Sequence, residues 1–457
     1  MPSQPQQDLT PPTVLVLPQR QLDVKHAVAL CVGMVVGAGI FKTSPLVAAA
    51  LGGSYELYLA WAFGGLLSFI GALCFAEMAS SFPDTGGDYF FLRRAYGQRL
   101  GFLFAWSRFA VIHTGSMALL AFVFGDYLSQ VLDLRPWLGP YTSAVLGAGL
   151  IVLLTGLNLL GVRVGLGTQL GLTTVVLGGL LLLGLGAGVQ VWAGHAPQTP
   201  LVVDDPARHN WGQAMVFVFL AYGGWSDAAT LSAEMRDQRS GIKRALWWGL
   251  LLVSGLYLLA NWAYLQVLGL DGLARSEAPA AALMLAVFGR PGELLMVAIV
   301  SLTALSVMNA ILIAGPRTTY AAARDVAGSL HLARWNAKRG TPTAAVLATS
   351  GVALALVAFG AITRGGFATM VDYLSPVYWF FMTLSALAVI RLRRSEPEVQ
   401  RHYQVPFYPW LPLAFALCCL YVLWSSVVYV RAGAMVGVAV LALGAMILWP
   451  LSKRAQA

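Results

Sequence analysis

Charge is scarce in this 457-residue chain: Asp, Glu, Lys and Arg make up only 11% of it, against 58% hydrophobic residues and a mean hydropathy of +0.71. So little charge excludes a water-soluble globule with one buried core. Catalytic signatures are missing as well. There is no HExxH metal-binding helix, no GxxxxGK[ST] phosphate loop and no Gly-x-Ser-x-Gly elbow. No enzyme activity, cofactor or bound metal is therefore expected, and any energy must come from a gradient or an exchange. Cysteine is sparse too. Cys31, Cys74, Cys418 and Cys419 all fall in apolar runs, where they read as small buried hydrophobes and not as a disulfide or metal framework. The GGDY segment from Gly86 to Tyr89 follows no strand, so it is a turn signal and not a phosphate cradle.

Long apolar runs are what the chain has instead. A hydrocarbon core of about 30 Å takes about 20 residues of helix. Twelve runs qualify, at roughly 26–51, 57–79, 100–128, 141–160, 168–191, 213–235, 244–268, 291–315, 343–363, 368–391, 408–430 and 432–451. The expected fold is an all-α membrane protein of 12 transmembrane helices with both termini on one side. Basic residues test that assignment, because cytoplasmic loops are enriched in Lys and Arg. Of the 29, 21 fall on the side of the termini, among them Arg93, Arg94, Arg236, Lys243, Arg317, Arg391, Arg393 and Arg394. Only Arg135, Arg208, Arg275, Arg290, Arg364 and Arg431 fall on the other. Both termini are predicted to be cytoplasmic. The net charge of +9 is spread over short loops, so it argues for topology and not for a nucleic-acid partner. Residues 1–22, rich in Pro and Gln, contain no apolar run; a disordered cytoplasmic tail without a cleaved signal is expected.

Two of the runs are broken by glycine, at Gly37-Ala38-Gly39 within Val35 to Phe41 and at Gly223-Gly224 within Ala221 to Asp227. In a bilayer every backbone polar group needs a partner, so an interrupted helix is tolerated where the freed groups line a cavity or a ligand. Paired breaks in two halves of a chain point to a substrate site near the midplane. The restarting half-helix offers free N–H groups that suit a carboxylate, and the ending one offers carbonyls that suit an ammonium. An amino acid zwitterion fits both.

Charged groups within spans mark functional or paired sites. Arg108 and His113 lie in the third run; at 3.6 residues per turn their spacing of five puts them on different faces, so separate partners are expected. Asp227 follows the second break, where it either caps free N–H groups or meets a substrate ammonium or coupling ion. Glu77 and Glu234 sit near Arg-rich loops and are expected to pair with those arginines. Lys42 is expected to snorkel at the outward end.

Four stretches carry a resemblance. Gly33 to Pro45 (GMVVGAGIFKTSP), Gly71 to Leu92, Phe219 to Leu246 (beginning FLAYGGWSDAATLSAEM) and Arg391 to Pro412 resemble, in order, the first, second and sixth helices and the loop after the tenth in the amino acid, polyamine and organocation (APC) transporter superfamily. The Tyr-Gly-Gly-Trp core and Phe102 to Ala118 are similar to its L-type amino acid transporter branch. The resemblance implies two inverted five-helix repeats (LeuT-like 5+5), here residues 23–192 and 193–392, followed by a basic loop and two further helices over 393–457. It implies a carboxylate site at Gly37, Ala38, Gly39 and Ile40, and an ammonium site at carbonyls such as Val35 and those near Leu220. The side-chain pocket would then be shaped by Phe219, Leu220, Tyr222, Gly223, Trp225 and Ser226.

Departures from the pattern matter. Leu220 stands where L-type members carry a lid Phe, with Phe219 able to replace it, and Ser226 stands where an Asn is usual. Val176, seven residues after Gln169, stands where many relatives have a lysine in place of sodium. A sodium ion near the first break and Ser301, Thr303 and Ser306, or a fixed charge such as Arg108, would fill that role, with His113 the candidate for proton dependence. The expected function is a secondary transporter of neutral L-amino acids in the bacterial inner membrane, an exchanger or a proton- or sodium-coupled symporter. A cationic amino acid or polyamine transporter is the alternative, ahead of a channel or receptor. The loop at 129–140 has no Cys, so no disulfide-linked heavy chain is expected.

Overall fold

The computed structural model describes residues 23–83, 87–160, 166–194, 209–228, 235–237, 240–326, 332, 336, 341–363, 365–428 and 432–454. Apart from one isolated bridge between Asn336 and Thr341, every regular element among them is helical. Among the described residues nine helices are long and apolar enough to cross a membrane, or ten when one bent pair counts as a single span. That pair is α1 (Val24–Val35) and α2 (Ile40–Ala50), which meet at 52°. Then follow α3 (Ser54–Ser81), a short α4 (Asp88–Tyr96) and α5 (Gln98–Ser107), continued through a π-helical turn (Arg108–His113) into α6 (Thr114–Leu128). After a short α7 (Arg135–Leu138) come α8 (Thr142–Leu159) and α9 (Leu166–Trp192). The second broken element is α10 (Trp211–Ala221) with α11 (Trp225–Ala228). The remainder is α12 (Gly241–Arg275), α13 (Pro279–Val326), α14 (Thr343–Ile362), α15 (Gly366–Ser395), α16 (Trp410–Val428) and α17 (Ala432–Arg454).

Each of the twelve apolar runs contains helix, but twelve full spans are not what the described residues show. The sixth run is helical only to Ala228, because residues 229–234, Glu234 among them, lie outside the described residues. In α17 the apolar part is a shorter helix, Gly433–Met446. All four cysteines are free and buried or half-buried, as their apolar setting predicts.

Polar groups at the two ends of the bundle are tied down. At one end Lys42 Nζ pairs with Asp126 at 2.6 Å, with both side chains under one-fifth exposed, and donates to the Glu277 carbonyl at 2.7 Å. The expected snorkelling to water is replaced by an ion pair between α2 and α6, because the sixteen-per-cent-exposed Asp126 gives the ammonium a closer partner than solvent. Nearby, the Tyr127 hydroxyl donates to the Phe41 carbonyl at 2.7 Å, and Asn210 donates from its backbone N–H to the Ala50 carbonyl, joining the end of α2 to the start of α10. At the other end the Glu77 carboxylate accepts from both Nε and Nη2 of Arg393, each at 2.6 Å, and from the Val405 N–H at 2.7 Å. Glu77 is only 2% exposed; it pairs with an arginine as its position predicts, although Arg393 belongs to the last turn of α15 and the loop itself supplies Arg401 at 3.6 Å.

Candidate substrate site at the two helix breaks

α1 ends where its ladder runs out: the Val36 N–H still reaches Val32, but Gly37 bonds only to Val35 two residues back. The chain restarts at Ile40, and the Gly39 carbonyl accepts from Lys42 and Thr43 at 2.9 and 2.8 Å. The first N–H groups of α2 thus precede any turn that could accept them and carry the positive end of its dipole. Gly37 borders open space, since a Cβ there would meet nothing within 4 Å.

α10 stops at Ala221, and α11 begins four residues later after Gly224 turns the backbone with φ of 98°. An L side chain rarely adopts that angle, and at Gly224 a Cβ would also run into the Met34 carbonyl. The two breaks therefore touch one another. They are also joined by Tyr257 of α12, whose buried hydroxyl lies 3.0 Å from the Val35 carbonyl and 2.9 Å from that of Ala221. One hydroxyl bridges the ends of both first half-helices. Around this junction Gly37, Gly39, Leu220, Gly223, Gly224 and Asp227 are half-buried, whereas Val35, Ala38, Ile40, Phe219, Tyr222, Trp225 and Ser226 are buried.

The aromatic residues flanking the second break are turned into packing. The Tyr222 hydroxyl donates to the Trp61 carbonyl at 3.0 Å, and its ring lies 5.0 Å from that of Tyr257. Trp225 meets Phe75 edge-on at 5.1 Å and Phe415 at 6.1 Å. Phe219 packs on Trp379 at 5.3 Å. Among the glycines of the breaks, Gly37 borders open space, whereas a Cβ at Gly39, Gly223 or Gly224 would meet backbone atoms at 3.4 Å or less.

Arg108, His113 and Asp227 come together. Arg108 Nη2 donates to Asp227 Oδ1 at 2.9 Å, and its Nε and Nη2 lie 3.3 and 3.1 Å from His113 Nε2. The expectation of separate partners for Arg108 and His113 is thus corrected. It assumed 3.6 residues per turn, but residues 108–113 form a π turn, whose i→i+5 bonds bring the fifth residue back over the first. Accepting from a guanidinium requires a neutral imidazole with its proton on Nδ1, so His113 is not the proton-binding group its ordinary titration range suggests. The Tyr373 hydroxyl donates to the Ala110 carbonyl within the turn at 2.7 Å, satisfying part of the widened backbone. Tyr378 of α15 faces Ser226 from the far side.

Other expected groups lie apart. Thr303 spends its hydroxyl on the Ile299 carbonyl of its own helix, Ser306 is buried on α13, and the buried Ser301 hydroxyl has no hydrogen-bond partner among the described residues. Val176 is a buried core residue of α9. Among the described residues no group of three His, Cys, Asp or Glu is placed to hold a metal. Two residues escaped the sequence reading. Tyr257 left a signal in the polar residues Tyr257 and Asn261 one helical turn apart in an apolar span, where Asn261 Nδ2 now donates to the Tyr257 carbonyl. Asp88 was hidden inside a turn signal.

Two broken helices that meet at their breaks point to a transporter, and sequence comparison settles the family. A model of the amino acid permease family matches residues 22–449. The chain belongs to that family, within the APC superfamily. The permease is 27% identical to the serine/threonine exchanger SteT of Bacillus subtilis, over 90% of this chain and 92% of that one. It is 25% identical to the b(0,+)-type amino acid transporter 1 of Mus musculus, covering 90% of this chain and 83% of the relative. With the human large neutral amino acids transporter small subunit 2 the identity is 28%, over 89% and 76% of the two chains. The permease is a multi-pass transmembrane transporter and not an enzyme.

Proposed function

We propose that the permease exchanges neutral L-amino acids across the bacterial inner membrane by alternating access around the two breaks. The observation that carries this reading is the junction itself: the start of α2 and the ends of α1 and α10 meet there, with Tyr257 holding the two ends in register. In this reading the substrate carboxylate sits against Gly37 to Ile40 and takes the N–H groups of Ala38, Gly39 and Ile40, since that of Gly37 is bonded to Val35, and its ammonium takes the remaining lone pairs of the Val35 and Ala221 carbonyls. The open space beside Gly37 receives the side chain. Neutral substrates are favoured because Asp227, the acid nearest the gap, is engaged by Arg108. Twelve spans in two inverted five-helix repeats, with cytoplasmic termini, are supported by the paired breaks and by the basic-residue asymmetry. Exchange is supported by the similarity to a bacterial exchanger.

The test is uptake of labelled L-serine and L-leucine by proteoliposomes of the purified permease, with internal amino acid, sodium gradient and pH gradient varied separately. Uptake is expected only into vesicles loaded with amino acid. Uptake that ignores the internal amino acid and follows a sodium or proton gradient would replace exchange by symport.

A further inference from the structure

Asp88 opens the short helix α4, which follows α3 at the end of the bundle read above as cytoplasmic. Its side chain is nevertheless only 8% exposed, and Oδ1 has no hydrogen-bond partner among the described residues. It lies within electrostatic reach of Asp227 and Arg108. The groups facing it are thus Asp227 on α11, Arg108 and His113 on the π turn, and Tyr378 on α15 with the Cys419 thiol of α16 beside it. His113 accepts from Arg108 and is neutral, as are the phenol and the thiol. One guanidinium therefore stands against two carboxylates, and the cluster lacks one positive charge. Among the described residues no three His, Cys, Asp or Glu side chains are placed to hold a metal ion there.

We propose that Asp88 is a proton-binding site whose occupancy sets the strength of the Arg108–Asp227 ion pair, so that a proton taken up from the cytoplasm governs the transport cycle. The proposal rests on the alternating-access reading above. With the proton on Asp88, the guanidinium belongs to Asp227, as the structure has it. When that proton returns to solvent, the ionised Asp88 competes for the same donors and α11 is loosened from the π turn. No other bond is made or broken. Burial first, and then the charge of Asp227, push the Asp88 carboxyl up to about 7, against the pull of Arg108 and of its own backbone N–H.

The cluster is checked without transport by infrared difference spectra of the full-length permease in lipid, titrated on both sides of about pH 7. A protonated-carboxyl band that disappears through a midpoint near neutrality is expected, and its absence in Asp88→Asn. Stability gives the sign independently. Between the ordinary value of 3.8 and about 7 the folded protein keeps a proton that the unfolded chain has released, so thermal stability falls as pH rises through that window, and Asp88→Asn flattens the fall. In proteoliposomes, labelled L-serine exchange by the wild type should change by up to about tenfold per pH unit beyond the midpoint, the limit for one titrating proton. Asp88→Asn should lose that bend, and Asp88→Glu should restore it at a displaced midpoint. A merely structural Asp88 would lower the rate of Asp88→Asn equally at every pH and leave the bend, which overturns the proposal, as does an unchanged infrared band in that variant. If the wild type carries no labelled serine or leucine, the exchange reading fails while the infrared titration still decides Asp88.

Discussion

Replacing Tyr257 by Phe removes one oxygen from the centre of the candidate site and little else. The ring is fully buried against Trp61 at 5.5 Å and Tyr222 at 5.0 Å, and Phe keeps those contacts. What is lost is a single hydroxyl proton shared between the Val35 and Ala221 carbonyls at 3.0 and 2.9 Å. A neutral hydrogen bond contributes about 1 kcal/mol net, rising to about 3 when a buried acceptor is left dry. The Val35 carbonyl keeps the Gly37 N–H as a donor at 2.8 Å, so at most one acceptor is left without a partner, and the lower figure of about 1–1.5 kcal/mol applies. Since 1.4 kcal/mol is a factor of about 10 in affinity, the loosened register should raise the half-saturating concentration for L-serine about five- to tenfold. The assay is concentration-dependent uptake into preloaded proteoliposomes, paired with thermal unfolding in detergent with and without serine. A variant that melts earlier but keeps its half-saturation would refute the positioning role and leave Tyr257 as a packing clamp. A lowered half-saturation would show that the hydroxyl competes with the substrate ammonium instead of presenting carbonyls to it.

Two glycines should behave oppositely. Gly224→Ala forces a left-handed residue, at about 1–2 kcal/mol, into the Met34 carbonyl, so it should lower both melting temperature and uptake. Gly37→Ala meets nothing within 4 Å and should leave the melting temperature unchanged while weakening serine uptake, because its methyl group enters the space assigned to substrate. Glu77→Gln leaves the Arg393 guanidinium, held at 2.6 Å in a nearly dry site, without its charge partner. Loss of one member of a buried pair costs about 3 kcal/mol or more, and thermal unfolding that stays within about 0.5 kcal/mol of wild type would contradict the burial. Lys42→Met should cost less, about 2 kcal/mol, because Asp126 keeps the Ser143 hydroxyl as a donor; denaturation monitored by tryptophan fluorescence would check the ranking.

The elements most legible in the sequence are those governed by the bilayer. Both breaks fall where Gly37 to Gly39 and Gly223-Gly224 indicated, because a run of small residues in an apolar span has few other uses. The pairing of Glu77 with an arginine was equally readable, since a carboxylate at a helix end on the Arg-rich side has one obvious kind of partner, although Arg393 lies in the last turn of α15. What periodicity could not reveal was local departure from it. The rotation separating Arg108 from His113 was computed for an α-helix, and a single π turn reversed the conclusion. Aromatic identity was similarly silent about direction: Tyr222 and Trp225 sit beside the break in sequence, yet their rings point into α3 and α16, where Trp61, Phe75 and Phe415 receive them. Asp88 and Tyr257 were missed because their partners are remote in the chain.

The three charged clusters differ in a way that bears on how the permease moves. At one end of the bundle Lys42 faces Asp126, and at the other Glu77 faces Arg393, with Arg401 3.6 Å away; each has at least one cation for its carboxylate. Such closed networks hold α2 to α6 and α3 to the loop after α15 with little reason to rearrange. The middle cluster has one guanidinium for two carboxylates, and one of them, Asp227, is half-exposed and lies just after the Gly224 turn. Charges within a span cost about 3 kcal/mol each, so an unbalanced set is held only weakly in any one arrangement. The π turn fits that setting. It gives up α-helical bonding at six residues to put Arg108 and His113 on one side, facing Asp227, which is useful where a guanidinium must be handed between partners and wasteful where it is fixed. Motion during transport is therefore expected to pass through α11 and the π turn, with the networks at either end serving as the frame against which they shift.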